Sequence, residues 1–166
     1  MPRRRYAAWN AATAALTAAP TMVTTGTALK TMLQIKPGTN SNIAIIEWGY
    51  SFDVTPTAVV KVELITTGTV NATVTAFNAG DVVKYDDPGT TASSITLATS
   101  GSGFTSSAEG TVTASRLLDY QASWAQQYSK QFPLDREPAV VAADILRIRM
   151  TTATAVNASC YVVWEE

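Results

Sequence analysis

Residues 43–53 constrain the fold of this chain more than any other stretch. Ala44, Ile46, Trp48, Tyr50 and Phe52 fall on one side, and Ile43, Ile45, Glu47, Gly49 and Ser51 on the other. A period of two is the mark of a strand with one face against a core, because successive side chains leave an extended backbone on opposite sides. The pattern recurs along the chain. Leu29, Leu33 and Ile35 share a face. Val60, Val62 and Leu64 read as inward, with Lys61 and Glu63 outward. Val70, Ala72, Val74 and Ala76 form another inner face. Leu146, Ile148 and Met150 read as inward, with Arg147 and Arg149 outward, and Cys160, Val162 and Trp164 line one face of a last strand.

Turn chemistry separates these segments. Pro37-Gly38-Thr39-Asn40, Thr55-Pro56-Thr57 and Asp86-Asp87-Pro88-Gly89 supply preset φ, local side-chain bonding and tolerance of positive φ. Residues 82–85 make a short strand. Residues 100–103 and 106–107, rich in Ser and Gly, read as a mobile loop. Residues 111–128 read as one or two strands with a bend, with a helix as the alternative for 123–130. About eight strands at spacings of roughly 8–12 residues predict an all-β protein, an antiparallel β-sandwich with jelly-roll connections. No internal repeat or second domain is evident.

The division expected is an N-terminal arm over residues 1–26 and a single sandwich domain over 27–166. The arm is Ala- and Thr-rich, with Pro20 and Gly26 as breakers, and reads as extended or as a marginal helix ordered by a neighbour. On that reading, removing residues 1–20 leaves the sandwich folded. A secretory signal is disfavoured, since Asn10, Thr13 and Thr17 interrupt the apolar stretch. No run approaches the roughly 18 apolar residues of a membrane-spanning helix, so no membrane partner is expected.

The 166 residues contain no histidine and one cysteine. The commonest general base and metal ligand is missing, so Ser–His–Asp and Cys–His centres are excluded. Cys160 reads as a small buried core residue. Asp86-Asp87 lacks further ligands at calcium-site spacing. Gly101-x-Gly103 lacks the Gly-Lys-Ser/Thr of a phosphate loop. A carboxylate-only hydrolase needs two acids roughly 5–10 Å apart across a cleft, and no such pair is evident. The chain is therefore expected to be no enzyme, with no cofactor and no metal.

Charged residues make up 15% of the chain and hydrophobic residues 46%, against about 25% charged in an average domain. A surface so poor in charge is covered by Thr, Ser, Asn and Gln, or by other subunits. The net charge of −1 provides no basic field for nucleic acid. Arg3-Arg4-Arg5 is either a solvated run or a contact to an acidic partner. Asp135, Arg136 and Glu137 are either a solvated loop or a subunit contact in which Arg clamps a carboxylate. Arg147 and Arg149 read as an exposed sheet face balanced by cross-strand pairs. Trp124, Gln126, Gln127, Tyr128 and Gln131 make an aromatic–amide patch suited to core packing, a protein interface or a sugar. The candidate interface residues are Arg3, Arg4, Arg5, Trp9, Trp124, Tyr128, Asp135, Arg136 and Glu137.

Four stretches carry a resemblance to a known family. They are residues 45–52 (IIEWGYSF), 131–138 (QFPLDREP), 146–149 (LRIR) and 161–166 (YVVWEE). Across residues 27–166 the chain resembles tailed-bacteriophage virion proteins, most specifically head decoration proteins of actinobacteriophages. The resemblance implies a homotrimer on the outer capsid surface, made in the host cytoplasm. It would bind the major capsid protein and cement capsomer junctions, with the arm as a strap. The competing expectation is a receptor- or glycan-binding head of a tail fibre or baseplate.

Overall fold

The computed structural model describes residues 3–86, 88–89, 91–142 and 144–166. Its strands are β1 (Arg5–Trp9), β2 (Val23–Thr24), β3 (Lys30–Ile35), β4 (Ile43–Phe52), β5 (Val60–Thr66), β6 (Thr73–Ala76), β7 (Val83–Lys84), β8 (Gly103–Ala108), β9 (Arg116–Ser123), β10 (Gln127–Gln131), β11 (Ala139–Val140), β12 (Leu146–Thr152) and β13 (Asn157–Glu165). They form two antiparallel sheets packed as a sandwich. The first runs β10-β4-β13-β1-β7, with β11 added to β4 and β2 to β13. The second runs β6-β8-β3-β12-β5-β9.

The core lies between them. Trp48, Tyr50 and Phe52 of β4, Cys160, Val162 and Trp164 of β13, and Tyr6 and Ala8 of β1 meet Leu33 and Ile35 of β3, Val60, Val62 and Leu64 of β5, and Leu146, Ile148 and Met150 of β12. Trp48 and Trp164 are fully buried, and the Tyr6 ring stacks on Trp164 at 5.9 Å. Cys160 is buried as expected, and burial pushes its thiol pKa up.

Bulges alter the expected alternation. In β4 the side sharing Trp48, Tyr50 and Phe52 was expected to include Ala44 and Ile46. Instead Ile43 and Ile45 are buried, at 1% and 0% exposure. Val163 pairs with Glu47 and Trp164 with Ile45, so Ile46 is the unpaired residue of a bulge, and the inward parity reverses across it. A second bulge falls at Met32, between the Leu33–Ile148 and Thr31–Arg149 pairs, and β3 is buried on both faces because Ala72, Gly101 and Glu109 cover Gln34 and Thr31 on its outer side. Leu29 precedes that strand and is exposed rather than inward.

Arg147 and Arg149 leave β12 on the outer side, as expected, but neither is exposed. Arg147 donates to the Glu109 and Val70 carbonyls and pairs with the Glu109 carboxylate at 3.4 Å. Arg149 pairs with Glu63, its cross-strand neighbour, at 2.5 Å. The chain around Val70 and Glu109 covers this face and turns a surface ion pair into a buried one. Burial pulls the Arg147 pKa down to about 10, and Glu109 opposes that pull, so the guanidinium stays charged at neutral pH.

One further expectation is corrected. Gly101, Ser102 and Gly103 are buried, and β8 begins at Gly103. Gln34 donates to the Gly101 carbonyl at 2.5 Å, and a Cβ on Gly103 would lie 2.1 Å from the Thr75 carbonyl. Close packing against β3 and β6 excludes a mobile loop there. Residues 111–128, read as one or two strands with a bend, hold β9 and the start of β10, and the helical alternative for 123–130 is not formed. Of the Asp86-Asp87-Pro88-Gly89 turn, Asp87 lies outside the described residues.

The stretch expected to be an arm is largely built into the sandwich. β1 pairs with β13 over its whole length, from Arg5–Glu165 to Trp9–Tyr161, and Tyr6, Ala7 and Ala8 are fully buried. Asn10 extends this pairing: its side chain donates to the Ala158 carbonyl and accepts from the Cys160 amide. The buried Asp81 carboxylate then accepts from the Thr13 and Ala14 amides at 2.6 and 2.8 Å. Gly80 lets Ala14 approach, since a Cβ there would lie 2.8 Å from the Ala14 methyl group. We therefore expect truncation before Asn10 to abolish cooperative unfolding, contrary to the reading of a dispensable arm. Tyr6→Ala should cost about 3–5 kcal/mol, as for other large buried aromatics. Urea denaturation followed by tryptophan fluorescence checks both, and a truncated chain as stable as the full one would refute the assignment.

Candidate functional site

Two places on the sandwich combine exposed chemistry with fixed geometry. The first is the outer face of the sheet that contains β1. Strand register lays its outward residues in lateral rows. Gln127, Ser51 and Ser159 lie side by side on β10, β4 and β13. The adjacent row is Ser129, Gly49, Tyr161 and Trp9. Gly49 interrupts that row with no side chain of its own. A Cβ there would lie 2.6 Å from the Tyr128 carbonyl and 2.7 Å from the Tyr161 ring, so the ring rests on bare backbone. Trp9 stacks beside Tyr161, with centroids 6.2 Å apart and planes 27° from parallel. The result is an open trough of about 650 Å³, lined by the side-chain-bearing residues of both rows together with Tyr50 and Tyr128. The Tyr161 hydroxyl donates to Glu47, and desolvation together with that carboxylate raises its pKa.

The second place is the sandwich edge where β9 and β10 end the two sheets. Asp119 turns inward from β9 and bridges them. Its carboxylate accepts from the Trp48 indole at 3.2 Å and the Tyr128 hydroxyl at 2.9 Å, and pairs with Lys130 at 3.2 Å. Gln121 completes the network, donating to Asp119 and Tyr128. Desolvation pushes the Asp119 pKa up, but the Tyr128 hydrogen bond and Lys130 outweigh it, and the net shift is downward. Tyr128 is raised to about 12 by desolvation and by its bond to Asp119. Tyr50, stacked on it at 5.5 Å, is also raised to about 12 by desolvation and the Asp119 charge.

The structure separates the residues singled out from sequence. Arg3 and Arg5 pair within the chain, with Glu165 at 3.0 and 3.6 Å, and Arg5 also reaches Asp86 at 3.8 Å. The Arg4 backbone pairs with Glu166 and its side chain is exposed. Trp9 stands in the trough. Trp124 lies between β9 and β10 and is 59% exposed. Tyr128 is engaged with Trp48, Tyr50 and Asp119. Asp135, at φ 64°, and Arg136 are exposed in the turn between β10 and β11, while Glu137 is half-buried. Asp135 and Glu137 line an open hollow with Arg3 and Glu165, so the N-terminal arginine cluster and the 135–137 cluster meet, and Trp124 stays apart.

Sequence reasoning missed Gly49, Ser51, Ser159 and Tyr161, which only lateral register brings together, and Asp119, whose neighbours lie on another sheet. Among the described residues, no group of three or more His, Cys, Asp or Glu side chains is placed to hold a metal ion. No helix is long and apolar enough to cross a membrane. No family model, curated protein or solved structure significantly matches the chain.

The Asp119 network has a pH signature. Because its folded pKa is depressed, the ionised carboxylate favours folding above the unfolded value near ~3.9, and that contribution fades as pH falls through the folded value. The two tyrosines act in reverse: their neutral forms favour folding below ~10, and the contribution is lost as pH rises through about 12. We expect Asp119→Asn to cost about 1–3 kcal/mol at pH 7 and to converge with the parent protein in acid. Denaturant midpoints measured from pH 3 upward check this, and a constant gap down to pH 3 would sink it.

Proposed function

We propose that the chain is a virion structural subunit, a tailed-phage capsid decoration protein that binds the outer surface of the head and cements capsomer junctions. Its partner would be the major capsid protein and its working unit a homotrimer.

The observation that carries this reading is the β9 margin. β9 pairs with β5 on one side only and ends its sheet. Leu117 and Tyr120 share its outer side, beside Ile65 and Glu63, and are 57% and 45% exposed. Trp124, just beyond, is 59% exposed. A row of large apolar side chains along a sheet margin is a liability in a solitary protein and an asset in an assembly. The bulge at Leu118 and the inward Asp119 discourage uncontrolled strand addition. The contact we propose is therefore side-chain packing, with Leu117, Tyr120 and Trp124 as anchors.

The strand order supports the same class. In the first sheet β1-β13-β4-β10 are consecutive neighbours, and in the second β3-β12-β5-β9. With β6 to β8 taken as an insertion, this is the eight-strand jelly roll that we assign as the finer description of the sandwich, an architecture used by viral capsid and lectin domains. Fold alone does not choose a function, so the exposed margin carries the argument. Mechanically, each bound copy would bury apolar surface across a capsid seam, and expansion of the shell would have to re-expose it.

The test mixes the purified protein with phage capsids lacking it and counts copies bound per particle. Saturation at a symmetry-compatible number is expected, with the double variant Leu117→Glu/Tyr120→Glu binding at least about 30-fold more weakly, as for loss of a central anchor. Light scattering of the free protein gives the oligomer. No binding to capsids, or full binding by the folded double variant, would overturn the proposal.

A further inference from the structure

We infer that the trough on the outer face of the β1-containing sheet is a carbohydrate site that takes a neutral saccharide. The trough lies on the opposite sheet from the β9 margin and does not depend on it.

A sugar ring presents apolar C–H faces and a rim of hydroxyls. It is recognised by an aromatic wall beside groups that both donate and accept hydrogen bonds. The trough supplies both. Trp9 and Tyr161 form the stacked wall, half-buried and so open on part of their surface. Beside the Tyr161 ring, which lies over Gly49, Ser51, Ser159 and Gln127 stand in the adjacent lateral row. Among the described residues, the side chains of these three have no intramolecular hydrogen-bond partner, although Ser51 and Ser159 are only partly exposed. Three neutral polar groups therefore face the space in front of an aromatic pair with their bonding capacity unspent.

Charge narrows the ligand class. Glu47, the nearest carboxylate in the next row, already accepts from the Tyr161 hydroxyl. Lys130 is bound to Asp119, and Arg5 to Glu165 and Asp86. Among the described residues, no uncommitted cation lines the trough, which disfavours phosphorylated and acidic ligands, and no uncommitted anion favours a basic one. The volume of about 650 Å³ is in the range of small-molecule sites. The lining residues stand on paired strands, so the arrangement exists before the ligand arrives.

The experiment titrates the full-length protein with dextran, a yeast mannan and an arabinogalactan in separate calorimetric runs, with polygalacturonate as the acidic comparison. Binding of at least one neutral polymer is expected, unchanged by high salt because no ion pair is involved. Trp9→Ala should weaken it at least about tenfold. Gln127 is exposed, so Gln127→Ala should fold normally and still lower affinity several-fold. Three results would each overturn the inference: no heat with any neutral polymer, binding of polygalacturonate alone, or unchanged affinity in a folded Gln127→Ala protein.

Discussion

The first sheet exists because the two ends of the chain pair with each other. β13, the last strand, lies between β4 and β1, and its register with β1 runs from Arg5–Glu165 to Trp9–Tyr161. The aromatic wall on the outer side of that sheet follows. Trp9 comes from the first ten residues and Tyr161 from the last six, yet they stack. Tyr6 and Trp164, from the same two ends, stack on the inner side of the same pair of strands. Contacts this distant in sequence are entropically late to form, so folding of this topology should be slow for its size. Once formed, they lock β1 and β13 onto the core.

Charge is used internally to an unusual degree for a chain with so little of it. Arg147 and Arg149 are spent on Glu109 and Glu63, Lys130 on Asp119, and Arg3 and Arg5 on Glu165. Asp81 is buried and saturated by backbone amides. Buried pairs contribute little net stability compared with apolar packing, but losing one partner is costly. They fix which segment lies where: Glu109 over β12, Asp119 between the sheets, Asp81 under residues 13 and 14.

The sandwich class was legible because alternation survives in β4, β5, β12 and β13. Its failures are local and physical. Alternation cannot announce a bulge, since the extra residue at Ile46 is defined by what β13 does opposite it. It places Arg147 and Arg149 on the correct side of β12 but is silent about Glu109, 38 residues upstream, arriving to cover them. β1 was hidden by its composition: Tyr6 and Ala8 alternate with Arg5, Ala7 and Trp9, and an alanine-rich run reads as readily as helix or coil. Trp9 was noticed for its type alone. Its partners Tyr161, Ser159 and Ser51 were present in the alternation as outward residues, and only register across three strands makes them neighbours.

The two surfaces argued above do not compete for space. Leu117 and Tyr120 belong to the outer side of one sheet, and the Trp9–Tyr161 trough to the outer side of the other. In a face-to-face sandwich these sides point in opposite directions. A copy anchored through the β9 margin would therefore hold the trough away from its anchor and towards whatever lies outside the particle. The rows that form the trough include Gln127 and Ser129 of β10, the strand that follows β9 in the chain, so the two surfaces share the β9–β10 connection and the Asp119 network beneath it. Loosening that network should disturb both surfaces together, whereas Gln127→Ala should touch only one.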